Sequence, residues 1–293
     1  MVQSSVLASF LCGVVISSFI WMNFPRPSTT AAAPEDGVTA FTVLTGEVPD
    51  WLAMSLYNKM WIFGDERVYV YTDSFRDDFV FRNLVFRRVD FGRTLRDYNA
   101  RRNTSLSFSH PDPRGSALRT TDSMRLILCQ ENCQYFDTDV FFFKKIDFDY
   151  LAYEPVERRR PNNNNFRLSG ENNKFNAILR DYLATADLKH DPWGYAYNVF
   201  DRLWDDVYPD FGTATLLEIP MIHLRQPENK KHLLADDIKF FSRYGYFWHC
   251  YDKRDFAVIW NAHKQLFPDI YRVDVFDELS QALSLHRRYP TDI

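Results

Sequence analysis

Asp137 and Asp139, two aspartates separated by one residue, have the side chains and spacing best suited to chemistry in this sequence. A strand is predicted at residues 134–136 and an apolar run follows at residues 140–143, so the pair is predicted to lie in a turn after a strand. Carboxylates that converge in such a turn bind one hard cation, Mg2+ or Mn2+. That cation neutralises the charge that grows on a departing diphosphate. A solvated turn without a ligand is the alternative, because this spacing also arises by chance.

A helix is predicted upstream of the pair, with Thr120 or Thr121 as its N-cap and apolar residues at helical spacing after it. This helix carries Asp122 and Arg125, which are three positions apart and therefore within reach of each other. An acidic and a basic side chain thus lie a short distance along the chain from the aspartate pair.

Strands and a helix alternate in the first part of the chain. Strands are predicted at residues 39–44, 67–72 and 80–89, and a helix at residues 51–62. This order predicts an α/β domain with a mixed, mostly parallel sheet. Ligands bind at the carboxyl ends of the strands in such sheets, and the aspartate pair is predicted to stand at such an end.

The rest of the chain is predicted from composition and periodicity. Residues 93–119 and 158–165 are polar and contain Pro, Gly or repeated Asn, which predicts loops. Helices are predicted at residues 176–188 and 195–207, and a strand at residues 254–260. No linker separates a second core, so residues 39–293 are predicted to form one domain.

Residues 1–24 are predicted to be a membrane anchor and residues 25–38 a flexible stem. The run from residue 5 to residue 24 contains no charged side chain and spans about 30 Å of hydrocarbon as a helix. A cleaved signal peptide is the alternative, with the three alanines at residues 31–33 as its cleavage site. The glycosylation sequon at Asn103 agrees with a lumenal domain.

The overall composition excludes one class of partner. The 293 residues carry a formal net charge of −4, so the chain has no general positive field for a nucleic acid backbone. A hydrophobic content of 46% supplies a sizeable core and excludes disorder for the bulk of the chain.

Three cysteines lie outside the N-terminal apolar run: Cys129, Cys133 and Cys250. An odd number cannot pair completely, and their spacing is not typical of a zinc site. A bridge from Cys250 to Cys129 or Cys133 remains open, and buried thiols are the alternative.

The sequence TDSMRL at residues 121–126 and the sequence YFDTDV at residues 135–140 together resemble the glycosyltransferases with a DXD sugar-nucleotide-binding region. The likeness is greatest to the Golgi α-1,4-galactosyltransferases and α-1,4-N-acetylglucosaminyltransferases. Lys144 and Lys145 after the next apolar run, and the segment FAVIWN at residues 256–261, are similar to the same family. A short anchor and stem are also typical of its members.

The resemblance implies a GT-A-like nucleotide-sugar-binding fold behind an N-terminal transmembrane helix, in a type II single-pass Golgi protein that faces the lumen. The implied cofactor is Mn2+ or Mg2+, and the implied donor is a UDP-sugar, either UDP-galactose or UDP-N-acetylglucosamine. The implied reaction moves a hexose or N-acetylhexosamine to a glycan or glycolipid acceptor with retention of configuration. The catalytic group itself is not assigned to any residue.

Carried over by residue, the resemblance implies that Asp137 and Asp139 bind the metal and the diphosphate-ribose end of the donor, with Asp139 the stronger metal ligand. It also implies that Asp122 and Arg125 contact the donor, with an ion pair as the alternative for Arg125. Asp137 and Asp139 must then lie together in the main cleft near Asp122. The asparagines at residues 172–173 lie near a donor-facing asparagine of the family, and helix capping is their alternative role.

The chain departs from the family pattern in two places. Asn132 and Cys133 replace a Gly-Gly pair that would permit unusual backbone conformations. Val258 replaces a histidine and cannot bind a metal, so His263 is the expected replacement ligand, with an ordinary surface histidine as the alternative. These departures motivate a second hypothesis, a degenerate transferase fold that binds a sugar or a partner without turnover.

The sequence DTDV also fits a phosphatase signature in which the first aspartate attacks phosphate and the second acts as acid and base. That signature normally opens its domain, whereas here a long α/β stretch precedes it. The helix with Asp122 and Arg125 has no role in a phosphatase, so the glycosyltransferase hypothesis is preferred.

Overall fold

The computed structural model describes residues 37–103, 113–129, 132–154, 160–169, 245–250, 254–266 and 270–288, together with residues 243 and 268. Its first elements are β1 (Thr39–Leu44), α1 (Leu52–Phe63), β2 (Val68–Thr72), β3 (Phe79–Phe81), β4 (Leu84–Arg88), α2 (Phe91–Arg102) and α3 (Pro113–Leu128). The others are β5 (Cys133–Phe136), β6 (Val140–Phe142), β7 (Tyr150–Glu154), β8 (Arg160–Leu168), β9 (Phe247–His249), α4 (Arg254–Leu266) and α5 (Val273–His286).

The main sheet has seven strands in the order β3-β4-β2-β1-β5-β8-β7. Its four central strands, β4, β2, β1 and β5, are parallel to one another. The outer strands β3, β8 and β7 pair antiparallel. The predicted mixed α/β sheet with a parallel centre is therefore confirmed. Because the central strands are parallel, their carboxyl ends share one edge, and Asp137 follows β5 at that edge.

A second sheet consists of the antiparallel strands β6 and β9. In its register Val140 faces His249 and Phe142 faces Phe247. This pairing brings the end of β9, far along the chain, next to the aspartate turn that precedes β6.

Helix α1 connects the two sheets. Asn58 on this helix donates to the carbonyl of Phe142 and accepts from its amide, both at 2.8 Å, which fixes α1 against β6. Its fully buried apolar side chains each contribute about 1.5–3 kcal/mol to the main core. They are Leu52, Leu56, Tyr57, Met60 and Phe63.

The prediction of one strand over residues 80–89 is wrong. Strands β3 and β4 form an antiparallel hairpin there, and Arg82 at its turn has a φ of 55°. A non-glycine residue rarely adopts this conformation. Without a glycine to mark the turn, the apolar residues on either side read as one continuous strand.

The prediction of a loop over residues 93–119 is wrong in its first and last parts. Helix α2 starts after Asp90, whose carboxylate caps the helix by accepting a hydrogen bond from the amide of Arg93. The three apolar side chains that this helix buries are spaced four and three apart, as an amphipathic helix requires. They are Phe91, Leu95 and Tyr98.

Helix α3 begins earlier than the capping signal at Thr120 or Thr121 predicts. It starts at Pro113, and proline is favoured in the first turn because it lacks an amide hydrogen that would be unpaired there. The helix nevertheless places Asp122 and Arg125 one turn apart, as predicted.

The prediction of a loop over residues 158–165 is wrong, because strand β8 covers most of it. This strand pairs antiparallel with β5 on one side and β7 on the other. Asn164 and Asn165 are only 1% and 0% exposed. The asparagine run is therefore an interior strand of the main sheet.

The prediction of a strand over residues 254–260 is wrong, because this stretch belongs to helix α4. Phe256, Ile259 and Trp260 are buried and Ala257 is exposed, which matches a helical period. The β-branched and aromatic residues suggested a strand, but their burial pattern follows packing against the second sheet.

Cys129 and Cys133 form a disulfide between the end of α3 and the start of β5. Cys250 is a buried free thiol. A bridge from Cys250 to either of the other two is therefore excluded in this structure.

Several predictions lie outside the described residues. The anchor, most of the stem, the helices at residues 176–188 and 195–207 and the asparagines at residues 172–173 are among them. Within the part of the chain that the structure describes, no helix combines the length and apolar character needed to cross a membrane. The anchor and the domain bounds therefore stay predictions.

Candidate metal centre

The turn between β5 and β6 is held from two sides by backbone hydrogen bonds. The amide of Asp137 donates to the carbonyl of Asn164 on β8 at 2.7 Å, and the amide of Cys250 after β9 donates to the carbonyl of Asp139 at 2.7 Å. Inside the turn, the amide of Val140 donates to the carbonyl of Asp137 at 3.1 Å. Both sheets thus fix the backbone that carries the aspartates.

Asp137, Asp139 and His249 form a group whose potential ligand atoms all lie within 4.8 Å of one another. His249 Nε2 lies 3.1 Å from Asp139 Oδ1. The aspartate side chains are each 19% exposed and the histidine 8%, so the group is sheltered but reachable. Two carboxylates and one imidazole fit Mn2+ and other divalent metals of the first transition row.

Two further side chains, those of Arg125 and Tyr135, contact the Asp137 carboxylate. Arg125 Nη2 lies 3.4 Å from Asp137 Oδ1 and also pairs with Asp122. The hydroxyl of Tyr135 donates to Asp137 Oδ1, and the Arg125 guanidinium lies 4.9 Å from the Tyr135 ring centroid. Asp122, Arg125 and Asp137 are therefore brought together, as the hypothesis requires.

Burial raises the pKa of the Asp137 carboxyl, and Asp139 acts in the same direction. Arg125, His249 and the hydrogen bond from Tyr135 act to lower this pKa. Two neighbouring carboxylates repel each other when both are ionised, and a cation between them removes that repulsion. The electrostatics of the group therefore favour a bound dication.

Arg125 is only 4% exposed, and its guanidinium pairs with Asp122 and Asp137 and lies over the Tyr135 ring. The structure thus supports an ion-pair role for Arg125, which is the alternative to donor contact. Direct contact of Asp122 or Arg125 with a donor stays a prediction of the resemblance.

His249 is the histidine that sequence reasoning missed. His263 lies in helix α4, and its side chain is outside the described part of the structure, so its expected metal role stays a prediction. The sequence signal for this ligand was an aromatic run at residues 246–248 that is followed directly by His249. A strand that ends in a polar ligand residue is the same pattern as β5 followed by Asp137.

The two departures from the family pattern do not distort this site. Neither Asn132 nor Cys133 is among the described residues with positive φ, so glycine is not required for the backbone there. Val258 packs against the apolar cluster that includes Phe141 and Trp248. Val258 therefore has a structural role in that apolar cluster.

Lys59 reaches the same turn from helix α1. Its Nζ donates to the carbonyls of Val140 at 2.7 Å and Thr138 at 3.3 Å, and to Ser55 Oγ at 2.6 Å. The side chain is fully buried. Burial lowers the pKa of Lys59 to about 7, although Asp139 and other nearby acidic groups act to raise it.

This low pKa predicts a pH dependence of stability. Between pH values of about 7 and 10.4 the unfolded chain holds the Lys59 proton and the folded chain does not, so the free energy of unfolding rises with pH. Below a pH of about 7 Lys59 is protonated in both the folded and the unfolded chain, so it no longer makes the free energy of unfolding depend on pH. Compared with Lys59→Met, the wild type should gain stability at a slope approaching about 1.4 kcal/mol per pH unit.

Urea unfolding of both proteins at several pH values, with a chelator present, measures this difference. Lys145→Met removes an exposed amine and serves as the control, and it should keep the wild-type pH dependence. If the free energy of unfolding changed with pH in the same way for the wild type and Lys59→Met, the prediction would be contradicted.

Comparisons with known proteins find likeness in structure but not in sequence. No protein-family model matches the sequence, and no curated protein matches it. A solved structure described as "PaToxG Glycosyltransferase" aligns with 88% of this chain and 95% of its own, at 11% identity and a TM-score of 0.43. At this score the likeness alone establishes neither the fold family nor the activity of the chain.

Proposed function

We propose that this chain is a metal-dependent glycosyltransferase that uses a UDP-sugar as its donor. One observation carries the proposal: Asp137 and Asp139, the aspartates of the DXD-like sequence, converge with His249 in a sheltered group at the carboxyl edge of the parallel strands. Ligands of open α/β sheets bind at this edge. The donor set fits a divalent metal, and the neighbouring sequence resembles the DXD glycosyltransferases.

In this proposal, different residues of the site bind the metal and orient the Asp137 carboxylate. Asp139 and His249 are the ligands best placed for Mn2+ or Mg2+. Tyr135 and Arg125 both contact Oδ1 of Asp137, which leaves its Oδ2 for the metal or the donor ribose. When bound, the metal neutralises the charge that grows on the leaving diphosphate. Arg125 and Tyr135 keep the Asp137 carboxylate in one orientation while this occurs.

The finer parts of the proposal rest on the sequence resemblance. They are UDP-galactose or UDP-N-acetylglucosamine as donor, and transfer of the hexose or N-acetylhexosamine to a glycan or glycolipid with retention. The same resemblance supports a type II membrane protein of the Golgi with a lumenal domain. The apolar run at residues 5–24 is the feature that supports the anchor.

The test is calorimetric titration of the full-length chain with Mn2+, then with UDP and the two UDP-sugars, with and without chelator. We expect UDP to bind only when Mn2+ is present, and the preferred UDP-sugar to be hydrolysed slowly without an acceptor. Absence of binding in both conditions would overturn the proposal. Binding without hydrolysis or transfer would favour the non-catalytic alternative, a transferase fold that holds a sugar nucleotide without turnover.

A further inference from the structure

The side chain of Asn164 contacts the side of the His249 ring that faces away from Asp139. Asn164 Nδ2 lies 2.8 Å from His249 Nδ1, and the other ring nitrogen, Nε2, lies 3.1 Å from Asp139 Oδ1. Asn164 is 1% exposed, so water does not compete for this contact. The imidazole is therefore held at both nitrogens.

The same residue also holds the aspartate end of the site. The backbone carbonyl of Asn164 accepts the 2.7 Å hydrogen bond from the amide of Asp137. One residue of strand β8 thus contacts Asp137, which follows β5, and His249, which ends β9. Asn164 therefore bridges two candidate ligands that come from different sheets.

We propose, on the basis of the proposed function, that Asn164 is the positioning residue of the metal centre. It orients the His249 ring, and its side-chain amide supplies the partner of Nδ1 both before and after a metal binds. A histidine that ligates a metal usually needs such a partner on its second nitrogen, because that partner fixes the ring orientation and the tautomer.

The chemistry of the two ring nitrogens explains why an amide suits this position. Without a metal, Nδ1 accepts a hydrogen bond from the Asn164 amide, and Nε2–H donates to Asp139. A metal at Nε2 requires the lone pair of that nitrogen, so the ring proton must then be on Nδ1. Nδ1–H needs an acceptor, and a half-turn of the amide presents Oδ1 in place of Nδ2.

This reasoning gives opposite expectations for two substitutions. Asn164→Leu has neither donor nor acceptor, so it should weaken Mn2+ binding about 10- to 100-fold, as loss of an outer-sphere partner does in other metal sites. Asn164→Asp has only acceptor oxygens when ionised, so it should keep a proton on Nδ1 of His249 and bind Mn2+ more tightly than the wild type.

Asn165 offers a matched control on the same strand. It is as deeply buried as Asn164, but its Oδ1 accepts a hydrogen bond from the Tyr150 hydroxyl instead. Successive residues of a strand point to opposite faces. Asn165→Leu should therefore lower stability while its Mn2+ affinity stays close to that of the wild type.

The experiment uses the full-length chain with Mn2+ alone for calorimetry and Zn2+, which is diamagnetic, for ring 15N NMR. Spectra are recorded in mildly alkaline buffer, and His249→Gln assigns the signals. We expect a proton on Nε2 alone in the metal-free wild type and on Nδ1 alone with Zn2+. In metal-free Asn164→Asp we expect a proton on both nitrogens, because each of them then faces a carboxylate. In Asn164→Leu the metal-free ring should keep Nε2–H, because Asp139 still accepts this hydrogen bond, and the effect of the substitution should appear when the metal binds.

The outcomes separate this inference from the proposed function. If the wild type binds Mn2+, and Asn164→Leu and Asn164→Asp bind it equally well with unchanged tautomers, the role of Asn164 is refuted and the metal centre stands. If the wild type binds neither metal while the metal-free tautomers follow Asn164 as expected, the metal centre fails and Asn164 only orients the ring. Equal weakening by Asn164→Leu and Asn165→Leu would reduce the effect to general destabilisation and refute the inference.

Discussion

An Asp139→Asn variant should bind Mn2+ at least about 100-fold more weakly than the wild type, since even changes outside the ligand set cost about 10- to 100-fold. The substitution keeps the shape of the side chain but removes the charge nearest to His249. The backbone carbonyl of residue 139 still accepts the hydrogen bond from Cys250. Relief of carboxylate repulsion against Asp137 should keep the metal-free variant as stable as the wild type.

Calorimetry with Mn2+ and then with UDP measures this loss, and chemical unfolding in chelator measures the stability. Asp147→Asn is the matched control, because Asp147 is an exposed carboxylate shortly after strand β6. It should bind Mn2+ like the wild type. Unchanged Mn2+ affinity in Asp139→Asn would place the metal elsewhere and end the glycosyltransferase proposal in its present form.

The parallel centre of the fold could be predicted because its signals are local. Strand β1 has the predicted bounds, α1 is shifted by one residue at both ends, and β2 begins one residue later than predicted. The aspartate turn could be predicted for the same reason, since a short strand, two carboxylates and a second strand follow one another directly. Such elements depend on residues within a few positions of each other.

Strand β8, which contains the run of asparagines, could not be predicted because its stability depends on distant residues. Four consecutive asparagines read as a loop, since amides compete with the backbone for hydrogen bonds. In the fold, strand β8 fills the space between β5 and β7, and the buried amides find partners in His249 and Tyr150. Polar side chains are tolerated in an interior when such partners exist.

The third candidate ligand could not be predicted for a similar reason. His249 is 110 positions from Asp139, and only the pairing of β6 with β9 brings them together. Sequence likeness pointed to Val258 and hence to His263, because the late segment was compared by residue type alone. Helix α4 instead packs Phe256, Ile259 and Ala262 against the second sheet.

An Arg125→Met variant should lose about 3–5 kcal/mol of its free energy of unfolding, as expected when one partner of a buried ion pair is removed. Arg125 has a side chain that is 5% exposed, and it contacts the partly buried carboxylates of Asp122 and Asp137. Without the guanidinium, two negative charges remain in a sheltered environment. Urea unfolding in chelator measures the loss, and Mn2+ should restore part of it because Asp137 then gains a cation.

The second substitution Asp122→Asn, made in the Arg125→Met background, should recover part of the lost stability by removing one of the uncompensated charges. Arg93→Met provides the control, since the pair of Arg93 with Asp97 is 75% and 61% exposed and such pairs contribute about 1 kcal/mol or less. If Arg125→Met keeps the wild-type stability but no longer binds UDP, then Arg125 contacts the donor directly, as the resemblance implies. A loss of stability with rescue by Asp122→Asn would instead establish that Arg125 acts as the ion-pair partner of the buried carboxylates.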